Sequence, residues 1–206
     1  MRITKKRDIT FTGMQLADIA GKFRELSCVD SVAIYSVPRF KTGIGQPVPV
    51  VIEGPDGSGK TFSARTLAHT YANAVGPALI VHAVYAKDYF RAWRRAIKLT
   101  KQASRMGVLV IWDRCWISEK VYGPLLRGKY PKLAGALDYL GKSFISASYA
   151  HTSYIKTLER LRARDDEPQP WQNDAYTTYR GLNGFTAVNP LDNELWELVL
   201  RRMKCP

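Results

Sequence analysis

Apolar residues recur along the chain in two rhythms. Residues 14–26 carry Leu16, Ile19, Ala20, Phe23 and Leu26 at near-helical spacing, which predicts a short helix. A strand-like run follows over residues 31–37. Residues 38–49, PRFKTGIGQPVP, are broken by glycine and proline and read as a linker or loop. From residue 48 short apolar runs alternate with longer amphipathic ones. Strands are predicted over residues 48–53, 78–85, 108–112, 143–149 and 186–189. Helices are predicted over residues 60–75, 88–106, 117–126, 154–164, 173–180 and 191–203. Gly76 and Pro77 break the first of these, and the second has Asp88 as N-cap and Gly107 as stop.

Strands alternating with helices predict an α/β protein, a three-layer sandwich on a central parallel sheet. Residues 1–47 stand apart as a short N-terminal extension to a domain spanning residues 48–206. The extension carries no evident chemistry. It reads first as a packed extension, with an oligomer contact or a basic arm for an anionic partner as alternatives.

Composition narrows the class. The 206 residues are 46% hydrophobic and 24% charged, the balance of a globular chain. No apolar run approaches the roughly 20 residues that span a bilayer, so no membrane role is expected. The basic N-terminus MRITKKRDITF has no apolar stretch after it, unlike a secretory signal. Cys28, Cys115 and Cys205 are odd in number, widely separated and without metal-ligand spacing, which points to a reduced, cytoplasmic protein. The net charge of +13 implies an anionic partner or substrate. Nucleotide phosphates and nucleic acid both fit it, and nothing else in the chain favours nucleic acid.

The chemistry enters at residues 54–61, GPDGSGKT, which match G-x-x-x-x-G-K-[ST] in full between a predicted strand and a predicted helix. Gly54, Gly57 and Gly59 let the backbone, Ser58 included, wrap a phosphate without Cβ clashes. The main-chain N–H groups then meet the positive end of the following helix. Lys60 supplies charge to the β- and γ-phosphates, and the Thr61 hydroxyl is placed for Mg²⁺. The apolar run 108–112 ends in Asp113 and Arg114. Ligands of open parallel sheets bind beyond the carboxyl ends of strands, where Asp113 suits Mg²⁺ or its water shell and Arg114 suits a phosphate. Arg160 and Arg164 share a helix face four residues apart, a repulsive placement that an anion between them would relieve. They are expected on a mobile lid around residues 154–172, whereas Arg162 points elsewhere.

Three segments together resemble the thymidylate kinase family of nucleoside monophosphate kinases, within the P-loop NTPase superfamily. They are EGPDGSGKT with its acid Asp56, DRCWISEKVYG with Asp113, Arg114, Ser118 and Tyr122, and the lid-like RLRARDDE. A compact chain of this type is what a virus-encoded member would look like. The resemblance implies ATP and Mg²⁺ as cofactors and a deoxynucleoside monophosphate acceptor, dTMP-like for preference, in a homodimer. Asp56 would lie near the acceptor's sugar. Gly57, where one subclass carries arginine, implies the subclass whose catalytic arginines sit in the lid. The chain departs from the family after the second strand, where VHAVYAKDYF replaces the usual acceptor-binding stretch. Acceptor contacts are then expected from Phe90, Arg91, Trp93, Arg94 or Arg95, although a place in the core is the commoner fate of a pair spaced like Phe90 and Trp93. The competing expectations are a deoxynucleoside kinase with Asp88 as base, a 5′-polynucleotide kinase, and a nucleic-acid-binding NTPase.

Overall fold

The computed structural model describes residues 13–37, 46–148, 154–163, 169–182, 186–187 and 194–203. Strands β1 (Val29–Tyr35), β2 (Val50–Glu53), β3 (Ala78–Ala83), β4 (Leu109–Asp113), β5 (Ile145–Ser148) and β6 (Thr186–Ala187) form one sheet in the order β1-β3-β4-β2-β5-β6. All pairings are parallel except β1 with β3. The predicted parallel sheet is therefore a mixed one. An antiparallel strand is readily added at an edge, where it needs only one partner.

The helices are α1 (Gly13–Arg24), α2 (Lys60–Ala74), α3 (Tyr89–Arg105), α4 (Ser118–Arg127), α5 (Ala134–Gly141), α6 (Tyr154–Arg162), α7 (Gln172–Gly181) and α8 (Glu194–Met203). Alternation along each strand sends neighbouring side chains to opposite faces. Val50, Ile52, Leu109 and Ile111 pack with Leu67 and Tyr71 of α2 and Val199 of α8. Val51, Val110 and Trp112 pack on the other side with Phe23 of α1, Trp93 and Ile97 of α3 and Leu137 of α5. Helices thus flank both faces, an arrangement compatible with a three-layer sandwich. The indole N–H of Trp112 is satisfied inside this core by the Thr100 hydroxyl at 3.0 Å.

Residues of the N-terminal segment belong to the same core. Leu16, Ile19, Ala20 and Phe23 are buried, and β1 pairs with β3 in the register Val32↔Val81 and Tyr35↔Ala78. Further along, the Pro47 carbonyl accepts a hydrogen bond from the buried Ser104 hydroxyl. Residues 38–45 of the predicted linker lie outside the described residues.

Two details go beyond the sequence reading. Asp88 sits at the N-cap position of α3, but its side chain makes no capping bond; only its carbonyl takes part, accepting from Ala92 N–H at 3.0 Å. Helix α5 falls where no element is predicted, because Gly135 and Gly141 lower local helix propensity. Tertiary contact selects it: a Cβ on Gly141 would stand 2.3 Å from the Trp116 ring, so the glycine admits the indole. No helix among the described residues is long and apolar enough to cross a membrane.

Candidate active site

The chain runs from β2 to β3 on one side of the sheet and from β4 to β5 on the other. The strand order therefore reverses between β2 and β4, the place where open α/β sheets leave a crevice. Ile52 lies beside Asp113 across that junction, so the glycine loop after β2 and the Asp113–Arg114 pair after β4 leave the sheet side by side.

The loop turns on backbone conformations that only glycine adopts easily: φ is +78° at Gly57 and +97° at Gly59. Gly54 and Ser58 are buried within it. Gly59 is the N-cap of α2, and Lys60 opens the helix. The Lys60 ammonium folds back over the loop and donates to the Pro55 carbonyl at 2.7 Å. Burial, with Arg114 adding to it, lowers the Lys60 pKa to about 8 against the pull of Asp56, Asp113 and Glu53. An ammonium held so lightly gains from any added anion.

Thr61 donates its hydroxyl to Asp113 Oδ2 at 2.6 Å, and His82 Nδ1 lies 3.1 Å from the same oxygen. Burial works against the Asp113 charge, but His82, Lys60 and Thr61 outweigh it and hold the carboxyl below its ordinary value. The bond to Asp113 is the main cause that raises the His82 pKa. His82, at the end of β3, has no counterpart among the sequence-predicted site residues.

Arg114 adopts φ +71°, a conformation uncommon for a residue with a side chain. Its backbone N–H donates to the Ile52 carbonyl at 3.0 Å. The guanidinium pairs with Asp56 and donates to the hydroxyls of Tyr122 at 3.1 Å and Tyr179 at 3.3 Å. Burial opposes the charge, but Tyr179, Tyr122, Asp56 and Glu53 keep Arg114 firmly protonated. Beneath it, fully buried Glu53 accepts from the Cys115 backbone N–H at 2.6 Å, Ser118 Oγ at 2.8 Å and Tyr179 OH at 3.0 Å. Glu53 therefore ties β2, the chain after β4, α4 and α7 together. The sequence signal for it was an acid ending a buried apolar strand. Tyr179 gave no signal, because its role depends on where α7 docks.

Two hollows open here. A cleft of about 730 Å³ is lined by the glycine loop, Lys60, Thr61, His82, Asp113, Arg114 and Arg160. Asp30 and Ser31 of β1 also line it, so the N-terminal segment reaches the site, which the sequence did not reveal. A second pocket of about 330 Å³ is lined by Trp93, Ser118, Glu119, Tyr122 and others, and shares Asp56, Ala83 and Arg114 with the first. The Asp56–Arg114 pair is the partition between them.

Helix α6 lies directly on the glycine loop. Buried Thr157 and Leu161 face Gly57, and Arg160 Nη1 donates to the Gly57 and Ser58 carbonyls at 3.4 and 3.3 Å. Arg164 lies outside the described residues. The acceptor contacts expected on α3 are mostly elsewhere. Arg91, Arg94 and Arg95 are exposed, and Phe90 packs against the core. None of these lines either hollow. Trp93 alone does, as a buried core residue that forms part of the second pocket's wall.

Oxygen donors in a cleft with phosphate-directed groups suit a small hard cation. Thr61 and Asp113, joined by a hydrogen bond at 2.6 Å, are two oxygen donors of the kind Mg²⁺ takes. Among the described residues no cluster of three or more His, Cys, Asp or Glu side chains forms a self-sufficient metal cage. No protein-family model matches this chain, and no curated protein matches it.

Proposed function

We propose that this chain is a P-loop nucleotide kinase of the thymidylate kinase type, transferring the γ-phosphoryl group of MgATP to a deoxynucleoside monophosphate. One observation carries the reading: the glycine loop with Lys60 and the Thr61–Asp113 pair stand at the sheet's switch point, and Arg114 joins that cleft to a second, acceptor-sized pocket.

The triphosphate tail lies in the loop, where main-chain N–H groups and the α2 N-terminus hold its oxygens. Lys60 releases the Pro55 carbonyl and turns to the phosphates. Thr61 and Asp113 would hold Mg²⁺, which would supply neutralisation of the charge that develops on the phosphates. Arg114 holds the acceptor phosphate in line, steadied by Asp56, Tyr122 and Tyr179. Arg160 stands over the loop as the lid arginine. An acceptor phosphate oxygen is already ionised near neutral pH, so no strong base is required. Positioning and charge stabilisation then supply the rate. The nucleoside-kinase alternative needed Asp88 as base, and Asp88 is exposed and lines neither hollow. A cytoplasmic location follows from the cysteine pattern, and a homodimer from the family reading; sedimentation measures the latter.

The test is ADP formation from MgATP with each deoxynucleoside monophosphate. Transfer is expected in the natural protein and is lost in Lys60→Ala with the melting temperature largely kept. Near-normal turnover in Lys60→Ala, or no ADP formation with any acceptor, would overturn the reading.

A further inference from the structure

We propose that the Glu119–Arg127 pair reads the acceptor's base, and that it selects guanine over thymine. The inference rests on the kinase reading above for the identity of the ligand, and it departs from the thymine that the family resemblance implies.

The two hollows share Asp56, Ala83 and Arg114. The remaining wall of the second pocket is its own, and it carries Glu119, Arg127, Leu126 and Tyr85. A phosphate bound at Arg114 therefore directs the other end of an acceptor toward this wall. Trp93, Tyr85 and Leu126 offer it flat or apolar surface, and Glu119 and Arg127 offer the wall a carboxylate and a guanidinium side by side.

The pair is costly to form for helix stability alone. Glu119 and Arg127 lie eight residues apart on α4, roughly 12 Å along a helix axis, so no i,i+4 contact accounts for them. Arg127 folds back along the helix to donate to Glu119 Oε2, and its guanidinium sits 4.3 Å from the centre of the Tyr85 ring. Holding a long side chain in one pose costs rotamer entropy that an ordinary surface ion pair barely repays. Glu119 is also well covered, with its side chain 13% exposed. That bond uses one oxygen and one terminal nitrogen, so each group keeps hydrogen-bonding capacity for a ligand.

The chemistry of that wall selects among bases. A carboxylate accepts two adjacent N–H groups, and guanine presents its ring N–H and amino N–H together. Guanine's carbonyl stands next to them, where a guanidinium can donate. Thymine presents a single N–H between two carbonyls, so a carboxylate that accepts it sets its second oxygen against a carbonyl oxygen. Adenine and cytosine, with one amino group each, fall between. Trp93, in the same wall, is 1% exposed and closes the pocket as packed ring surface. Sites built to bond a polar edge reject ligands that leave those groups unpaired.

The experiment measures binding of dGMP and dTMP by calorimetry without ATP, and kcat/KM for all four deoxynucleoside monophosphates with MgATP. The natural protein is expected to prefer dGMP to dTMP by about tenfold or more. Glu119→Gln and Arg127→Met are each expected to reduce that ratio to within about threefold. Two variants guard against one failing to fold, and the natural protein's own ratio stands without either. Equal or greater preference for dTMP overturns the proposal, as does a loss in both variants that is the same for every base. Tight, Glu119-dependent dGMP binding without ADP formation upholds the base assignment and overturns the transfer reading. ADP formation with no preference for guanine does the reverse.

Discussion

A Cβ placed on Gly57 would stand 2.6 Å from the carbonyl oxygen of Thr157. The glycine loop and helix α6 are therefore in backbone contact, and a side chain at position 57 displaces the helix that carries Arg160. Gly57 also holds φ +78°, which costs a residue with a side chain about 1–2 kcal/mol. Gly57→Ala should lower the melting temperature by several degrees and kcat by tenfold or more. Limited proteolysis should cut the α6 region faster in this variant. Unchanged stability and turnover would show that α6 does not rest on the loop.

Arg160 reaches the loop through two carbonyls at 3.3–3.4 Å, long bonds that a phosphoryl group would displace. Its catalytic contact should form mainly as charge develops on the transferring group. Arg160→Ala is therefore expected to lower kcat by roughly 10²-fold with a much smaller effect on KM. A rise in KM alone would place Arg160 in ground-state binding.

Lys60 gives the site a pH dependence with a definite sign. Its folded pKa of about 8 lies below the ordinary 10.5. Between those values the unfolded chain binds more protons, so the ligand-free fold gains stability as pH rises through that window. Triphosphate binding favours the charged ammonium and raises its pKa. Above pH 8 binding should take up a proton, and affinity for MgATP should fall with rising pH. Calorimetry at pH 9 in buffers of different ionisation enthalpy measures that uptake. Affinity that stays flat from pH 7.5 to 9.5 would contradict it.

Glu53 accepts from Cys115, Ser118 and Tyr179. Glu53→Gln keeps the shape but replaces charge-assisted bonds with weaker neutral ones and removes a negative charge near Arg114. A destabilisation of about 1–3 kcal/mol is expected, seen as a melting temperature lower by several degrees. Arg114 should also hold the acceptor less firmly, raising its KM. A variant as stable as the natural protein would show that the buried carboxylate is not what joins α4 and α7 to the sheet.

Much of this was legible in residue order. Local rules suffice for a glycine loop, because φ preference, helix polarity and the Lys60–Thr61 spacing act within a few residues. Short continuous apolar runs likewise exposed β2, β3 and β4, since each is buried on both faces. The apolar stripe of residues 14–26 identified α1, but periodicity says nothing of partners. That β1 would run antiparallel to β3 and carry Asp30 to the cleft depended on sheet pairing between segments distant in sequence. Trp93 and Phe90 illustrate the same limit: three residues apart on one helix, they suit a core more often than a ligand, and only packing put both on the core and made Trp93 part of a pocket wall as well. His82 beside Asp113, Tyr179 on Glu53 and Arg127 on Glu119 are side-chain meetings that only the folded chain decides. A motif records what adjacent residues can do together, while a site made by converging elements exists only once hydrophobic packing has fixed where those elements cross.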